Sequence, residues 1–375
     1  MSQFKKIEFF DYLRAVAILF IAFYHYVLET TLYHIRPSIT FTYAQNMKLL
    51  EIFPTNAPFK GLGNVLVFLA AQGYQFVGVF IFISGFGLTY SKLTKGGKPW
   101  QWFKRITKLL PQFQIAIVFA FIVNYISLHY LKRYLIAAPA GELYPYLRLL
   151  LYPFVWSDFY GLISSVNPSL WFSGLILQFY VVYEGLYWLL LKIKPWMFLL
   201  FMGGLTFWYR YAVLFHYEGN AYYFSLLPVR LVEFGLGMAV AYIYVEYKKD
   251  IFYSSAWWWG LVGAGIWYLG FRLGFSEMGR IVNDFLTTIG LMMMGTVIFR
   301  NLKSGWVAVG LGAIGVQSYW LYLLHNQPIT QLLTPWTFMQ WDHGGMSGMT
   351  YLFGFAIIIA GFALFSVGLT KLRRG

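Results

Sequence analysis

Two things are scarce in this chain of 375 residues: cysteine is absent altogether, and charged residues make up only 11%. Without cysteine there is no disulfide, thiolate metal site, iron–sulfur cluster or cysteine nucleophile. A soluble globular protein is about 25% charged and about 45–50% apolar. Here 59% of the residues are hydrophobic and the mean hydropathy is +0.60, which excludes a water-soluble fold. The signatures of common soluble enzymes are also missing. The chain has no H-E-x-x-H, no G-x-x-x-x-G-K-[ST] and no G-x-S-x-G. Ser84 stands in Ile-Ser-Gly, without the first glycine of a nucleophile elbow. The six histidines fall in no metal-ligand spacing, so no metal is expected.

What the chain has is apolar runs. Taking about 20 residues as the length that crosses a bilayer, the spans fall near 9–29, 65–90, 110–129, 169–191, 196–215, 222–245, 254–271, 282–299, 306–325 and 350–370. The expected fold is all-α, a polytopic transmembrane helical bundle of about ten spans forming one domain over 1–375. The first run is too long for a signal-peptide core, has no A-x-A-like cleavage site and carries Asp11, Arg14 and His25, so it reads as a retained helix. A shorter stretch, 147–163, is broken by Pro153 and Asp158 and reads as interfacial or re-entrant.

Charge orients the bundle. The formal net charge is +14; in a soluble protein that would suggest nucleic acid, but in a membrane chain it reads as loops that set topology. With both termini cytoplasmic, every inner segment is basic: Lys5 and Lys6, the run Lys92 to Lys108, Lys192 and Lys194, Lys248 and Lys249, Arg300 and Lys303, and Lys371 to Arg374. No nucleic-acid partner is expected. The lipid bilayer is one, and a homo-oligomer is compatible with the sequence.

Ionisable groups inside a membrane are costly, so each is a candidate for function. The first helix carries the most. Eleven residues separate Arg14 and His25, which returns them to within about 20° of one face and sets them about 16 Å apart along the axis. Arg14 therefore lies toward the cytoplasm and His25 toward the outer leaflet, with Ile18 and Ile21 between them. Asp11, three residues before Arg14, is placed to pair with it. A buried neutral imidazole is suited to accept a proton, and Glu29 lies one turn beyond His25 to orient it. Lys104, Arg105 and Lys108 sit at the mouth of the third span, where basic groups suit either phosphates of a donor or anionic lipid. Arg230 and Glu233, at i and i+3, read as a pair. Tyr180, Glu184 and His325 are further polar groups within or at the ends of spans.

Taken in order, these residues resemble acyltransferase family 3, integral membrane enzymes that acylate extracytoplasmic or lipid-linked carbohydrates. Phe10-Asp11-Tyr12-Leu13-Arg14-Ala15-Val16-Ala17 resembles the D-x-L-R-x-x-A start, and Arg14 to His25 reproduces R-x10-H. Gly78 to Phe86 resembles G-V-x-x-F-F-x-x-S-G-F, and Arg105 to Pro111 is similar to R-x-x-R-x-x-P, with lysine at 108. Leu170-Trp171-Phe172 with Gln178-Phe179-Tyr180, then Leu231 to Met238, then Ser318 to His325, follow in family order. Where some members carry acidic residues just before Q-F-Y, this chain has Ile176 and Leu177. Lys108 keeps a positive charge but lacks the bidentate fork of arginine.

The resemblance implies a multi-pass enzyme of the cell membrane in its minimal transmembrane form, without the soluble C-terminal domain of some relatives. It would be an O-acetyltransferase with no bound cofactor, using acetyl-CoA or another acyl-CoA as co-substrate and a carbohydrate hydroxyl as acceptor. His25 would act as general base, with Arg14 and its partner Asp11 holding the donor or stabilising charge. Arg105, Lys108 and Lys104 would grip CoA phosphates, and Tyr180, Glu233, His325 and Ser84 would serve acceptor binding or support. A transporter or flippase of lipid-linked glycans accounts for the spans and basic loops but leaves the Arg14–His25 signature unexplained.

Overall fold

A computed structural model describes residues 9–30, 68–96, 101–129, 143–151, 166–216, 226–248, 257–300, 302, 305–334 and 348–372. Both termini, the segment 31–67 and most of 147–163 lie outside the described residues, as does the side chain of Glu29. The described residues are helical throughout, with no strand. The helices are α1 (Phe9–Thr30), α2 (Phe76–Lys95), α3 (Gln101–His129), α4 (Tyr144–Leu151), α5 (Trp171–Lys192), α6 (Pro195–His216), α7 (Leu231–Glu246), α8 (Trp257–Leu273), α9 (Asn283–Arg300), α10 (Trp306–Val316), α11 (Ser318–Leu324) and α12 (Gly348–Leu372). Tight turns of 3-10 helix lead into α2, α5, α7 and α9, and a π turn at Ile329–Leu333 follows α11.

Local chemistry sets several boundaries. Gly96 ends α2 in the left-handed conformation (φ 59°), and its N–H returns to the Lys92 carbonyl, a position that glycine occupies without steric penalty. Pro195 opens α6, where a missing N–H is harmless. Asn167 caps the turn before α5, its side chain accepting from the Ser169 N–H.

Seven helical stretches are long and apolar enough to cross a membrane, and eight if α10 and α11, bent by 63° at Gln317, form one broken span. The sequence suggests ten. The other two, α8 and α9, are helices where expected. However, α8 has only 17 residues, and α9 begins at Asn283-Asp284 and ends at Arg300, so their apolar lengths fall short. They cross-pack closely: Gly263 faces Met293 and Gly290, and Gly270 faces Asn283 and Thr287, which makes the pair antiparallel.

Helix α1 is the hub, packing against α2, α9, α10, α11 and α12. Its stacking of Phe20 on Phe76 and edge contact of Phe10 with Phe86 run in opposite senses along α1 and α2, so these two helices are antiparallel. Helices α2 and α7 cross closely at Gly85 and Gly237, the latter against the Phe82 carbonyl, and run parallel from there to Tyr90 beside Tyr244; small residues allow such backbone approach in membranes. Large apolar side chains cover the outside, including Leu200, Trp208, Trp257 and Leu364. Exposed apolar surface of that extent suits contact with lipid rather than water.

Candidate functional site

The charged and polar residues inside the bundle gather in three places. The first is at the start of α1. Arg14 donates to Asp11 at 2.9 Å, the i, i+3 pair expected from sequence. Arg105, partly buried near the start of α3, lies beside the hydroxyl of Tyr180 on α5, and Arg14 acts electrostatically on the same hydroxyl. Arg14, Arg105 and Tyr180 thus come from three helices to one spot. Lys104 and Lys108 do not join them; both are exposed on α3. Further along α2, Lys92 forms an ion pair with Glu184 of α5, and its ammonium lies 4.4 Å from the centre of the Tyr187 ring.

The second gathering is around His25. Its Nε2 is 3.2 Å from Ser169 Oγ, and its ring centre is 5.1 Å from that of His325. Asn326 Nδ2 donates to the same Ser169 Oγ at 2.5 Å, so that one hydroxyl links the imidazole to the segment after α11. The Ser169 carbonyl accepts from the Tyr322 hydroxyl. Gln327 Nε2 donates to the Val166 carbonyl at 2.5 Å, and Asn124 Nδ2 of α3 reaches the same carbonyl at 3.4 Å. These bonds bind the turn before α5 to the segment after α11 and hold both against α1 and α3.

His325, a lone helix-end histidine in the sequence, is therefore half of a histidine pair. Its Nδ1 lies 2.8 Å from the Tyr322 carbonyl and 3.2 Å from the Leu321 carbonyl. Carbonyls only accept, so Nδ1 carries the proton. Its Nε2 is buried with no hydrogen-bond partner among the described residues. A π turn follows immediately, and irregular helix of this kind is frequent at functional sites.

An interval is shared by two helices. Arg14 to His25 spans eleven residues rising along α1, and Ser169 to Tyr180 spans eleven along the turn and α5. Because His25 meets Ser169 while Arg14 lies near Tyr180, the two stretches run antiparallel and join the same two clusters, about 16 Å apart. Tyr319 of α11 sits between them beside Ser173 and near Tyr180.

The third gathering was only half visible in the sequence. Arg230 pairs with Glu233 at 3.3 Å as expected, but Glu233 also accepts from Arg210 at 2.9 Å. Asp284 lies 3.0 Å from Arg230 and 3.5 Å from Arg210. Arg210 further donates to the carbonyls of Val229 and Ile281 at 2.8 and 2.9 Å. Two guanidinium groups facing two carboxylates leave no net charge, which suits a tie between α6, α7 and α9 and takes Glu233 away from the histidines. Arg210 escaped the sequence reading although it stands inside an apolar helix. The rule that singled out Arg14 would have found it. Ser84, partly buried on α2, has no described hydrogen bond to any of these groups.

Fold and site together define a multi-pass helical membrane protein with polar clusters at two depths along one helix. A family model described as an acyltransferase domain matches residues 7–370. The chain belongs to acyltransferase family 3 and is a membrane acyltransferase. No curated protein matches it, and no solved structure does.

Proposed function

We propose that this protein is an O-acetyltransferase of the cell membrane, moving an acyl group from acyl-CoA on the cytoplasmic side to a hydroxyl of an extracytoplasmic or lipid-linked carbohydrate. The observation that supports this reading is the pairing of Arg14 with Arg105 and Tyr180 at one depth and of His25 with Ser169 and His325 at another. Cationic groups at the inner depth suit the phosphates of a CoA donor. A buried imidazole whose Nε2 lies within hydrogen-bond reach of a hydroxyl suits a general base toward a hydroxyl acceptor.

In this scheme Arg14 and Arg105 hold the donor, while Lys104 and Lys108, exposed beside them, attract its phosphates. The offset of about 16 Å makes Arg14 a donor-binding residue rather than the stabiliser of the reacting carbonyl. Asp11 orients Arg14. The pantetheine arm extends past Tyr180 and Tyr319 toward His25. The acceptor hydroxyl takes the place that Ser169 Oγ now occupies and attacks the thioester carbon. His25 Nε2 accepts its proton, the C–S bond breaks, and the same proton returns to the CoA thiolate. Tyr180 and His325 line the path and the acceptor side; the geometry gives Glu233 and Ser84 no part in it.

The test is release of CoA thiol from acetyl-CoA by purified protein supplied with surface glycans. Loss of a general base lowers turnover by about 10²–10⁴-fold, so His25→Ala should fall in that range while remaining folded. Arg14→Ala should chiefly raise the KM for acetyl-CoA. Wild-type turnover by His25→Ala would refute the assignment.

A further inference from the structure

A cavity of about 720 Å³ opens beside the histidine pair, between α3, the segment from Leu321 to Leu333, and α12. Phe119, Leu324, Ile329, Phe353 and Phe362 are among its walls, and among the described residues His325 is the one polar side chain that lines it. Its flank toward α12 runs from Phe353 to Phe365, twelve residues or about 18 Å of helix, so the space is an elongated groove rather than a round pocket. Leu332 and Ile357 on its rim are 45% and 42% exposed, and α12 is the most apolar of the membrane-length helices. The groove therefore opens sideways into hydrocarbon.

Its filling follows from its walls. Water needs two to four polar partners to occupy a cavity, and this one offers a single imidazole. A long apolar trough within a bilayer is filled by a hydrocarbon chain. The polar end of that chain is also indicated: the groove reaches His325, whose Nε2 is buried, unpartnered and in lone-pair form, and the His25 ring lies 5.1 Å beyond. A buried acceptor left without a donor is unfavourable, and a hydroxyl at the head of the chain would satisfy it.

We infer that the groove between α3, α11 and α12 binds the hydrocarbon tail of the acceptor, a membrane-embedded glycolipid whose sugar presents the hydroxyl to be acylated to His25 and donates a neighbouring hydroxyl to His325 Nε2. This rests on the acyltransferase reading of the His25 cluster and narrows it. The acceptor is drawn from the plane of the bilayer, and soluble glycan without a tail is a poor substrate. Phosphatidylcholine can supply a tail but has no hydroxyl to bring to the histidines, whereas a sugar headgroup brings several, which is why the glycolipid is the committed occupant.

Gly361 provides the test, because it lines the groove and a Cβ there meets nothing within 4 Å. Full-length protein in lipid nanodiscs would be photolabelled with a hexadecyl glucoside bearing a diazirine in its alkyl chain, and labelled peptides mapped by mass spectrometry. Label should fall on 321–333 and 353–365. It should be displaced by unlabelled hexadecyl glucoside and not by phosphatidylcholine, and drop about tenfold in Gly361→Phe, the scale of a blocked apolar pocket. Gly361→Leu serves if the larger variant does not fold. Label elsewhere, label unchanged by both substitutions, or displacement by phosphatidylcholine as effective as by the glucoside would overturn the inference. His25→Ala should keep the label while losing CoA release. If it keeps CoA release, the catalytic reading fails and the groove remains to be judged by the label alone.

Discussion

Arg210 heads the largest fully buried side chains among the described residues, and every contact it makes is a tie between helices rather than an opening to substrate. Removing one member of a buried ion pair leaves the partners uncompensated and costs about 3–5 kcal/mol. Arg210→Ala should therefore lower thermal stability in detergent sharply, and Arg210→Lys should recover little of it, because an ammonium cannot reach two carboxylates and two carbonyls at once. A melting temperature unchanged in Arg210→Ala would remove the tie from the account. His25 and Arg14 differ in kind. Arg14 keeps its Asp11 bond with a third of its side chain still exposed, the condition of a group that meets a ligand. The contrast shows why the sequence exposed one arginine and not the other. Arg14 and His25 share a helix, so 3.6-residue periodicity relates them directly. Arg210 has partners on three other segments and is flanked by Tyr209 and Tyr211, a setting that resembles an interfacial arginine.

The same reasoning applies to whole helices. Helices α2 and α7 approach through Gly85 and Gly237, where an added methyl at 237 would run into the Phe82 carbonyl. Gly237→Ala should destabilise by about 1–3 kcal/mol, as overpacking does. Gly204→Ala on α6, where a Cβ meets nothing within 4 Å, should be neutral or stabilising through helix propensity. Thermal unfolding of the two variants side by side checks both, and equal losses would contradict the packing. Helix positions were legible because apolar length and Gly or Pro punctuation mark them locally. Helices α8 and α9 stand where the apolar runs put them but are shorter as spans, because α8 has 17 residues and Asn283, Asp284 and Arg300 shorten the apolar run of α9. The family resemblance placed both histidines in the site, but their contact with each other was not legible. His25 and His325 lie three hundred residues apart, and no periodicity links a site in α1 to the cap of α11.

At the scale of the molecule, α1 acts as a post around which two clusters stand at different depths, and antiparallel α5 repeats its eleven-residue interval on the other side. The central claim is that donor and acceptor meet this post from opposite faces of the membrane. Proteoliposomes of uniform orientation test it directly. Acetyl-CoA labelled in the acetyl group is confined to the side of the Arg14 cluster and acceptor glycolipid to the leaflet of the His25 cluster. The account predicts labelled acceptor in that arrangement and none when acetyl-CoA is confined to the opposite side. Transfer only when both substrates share one face would contradict it.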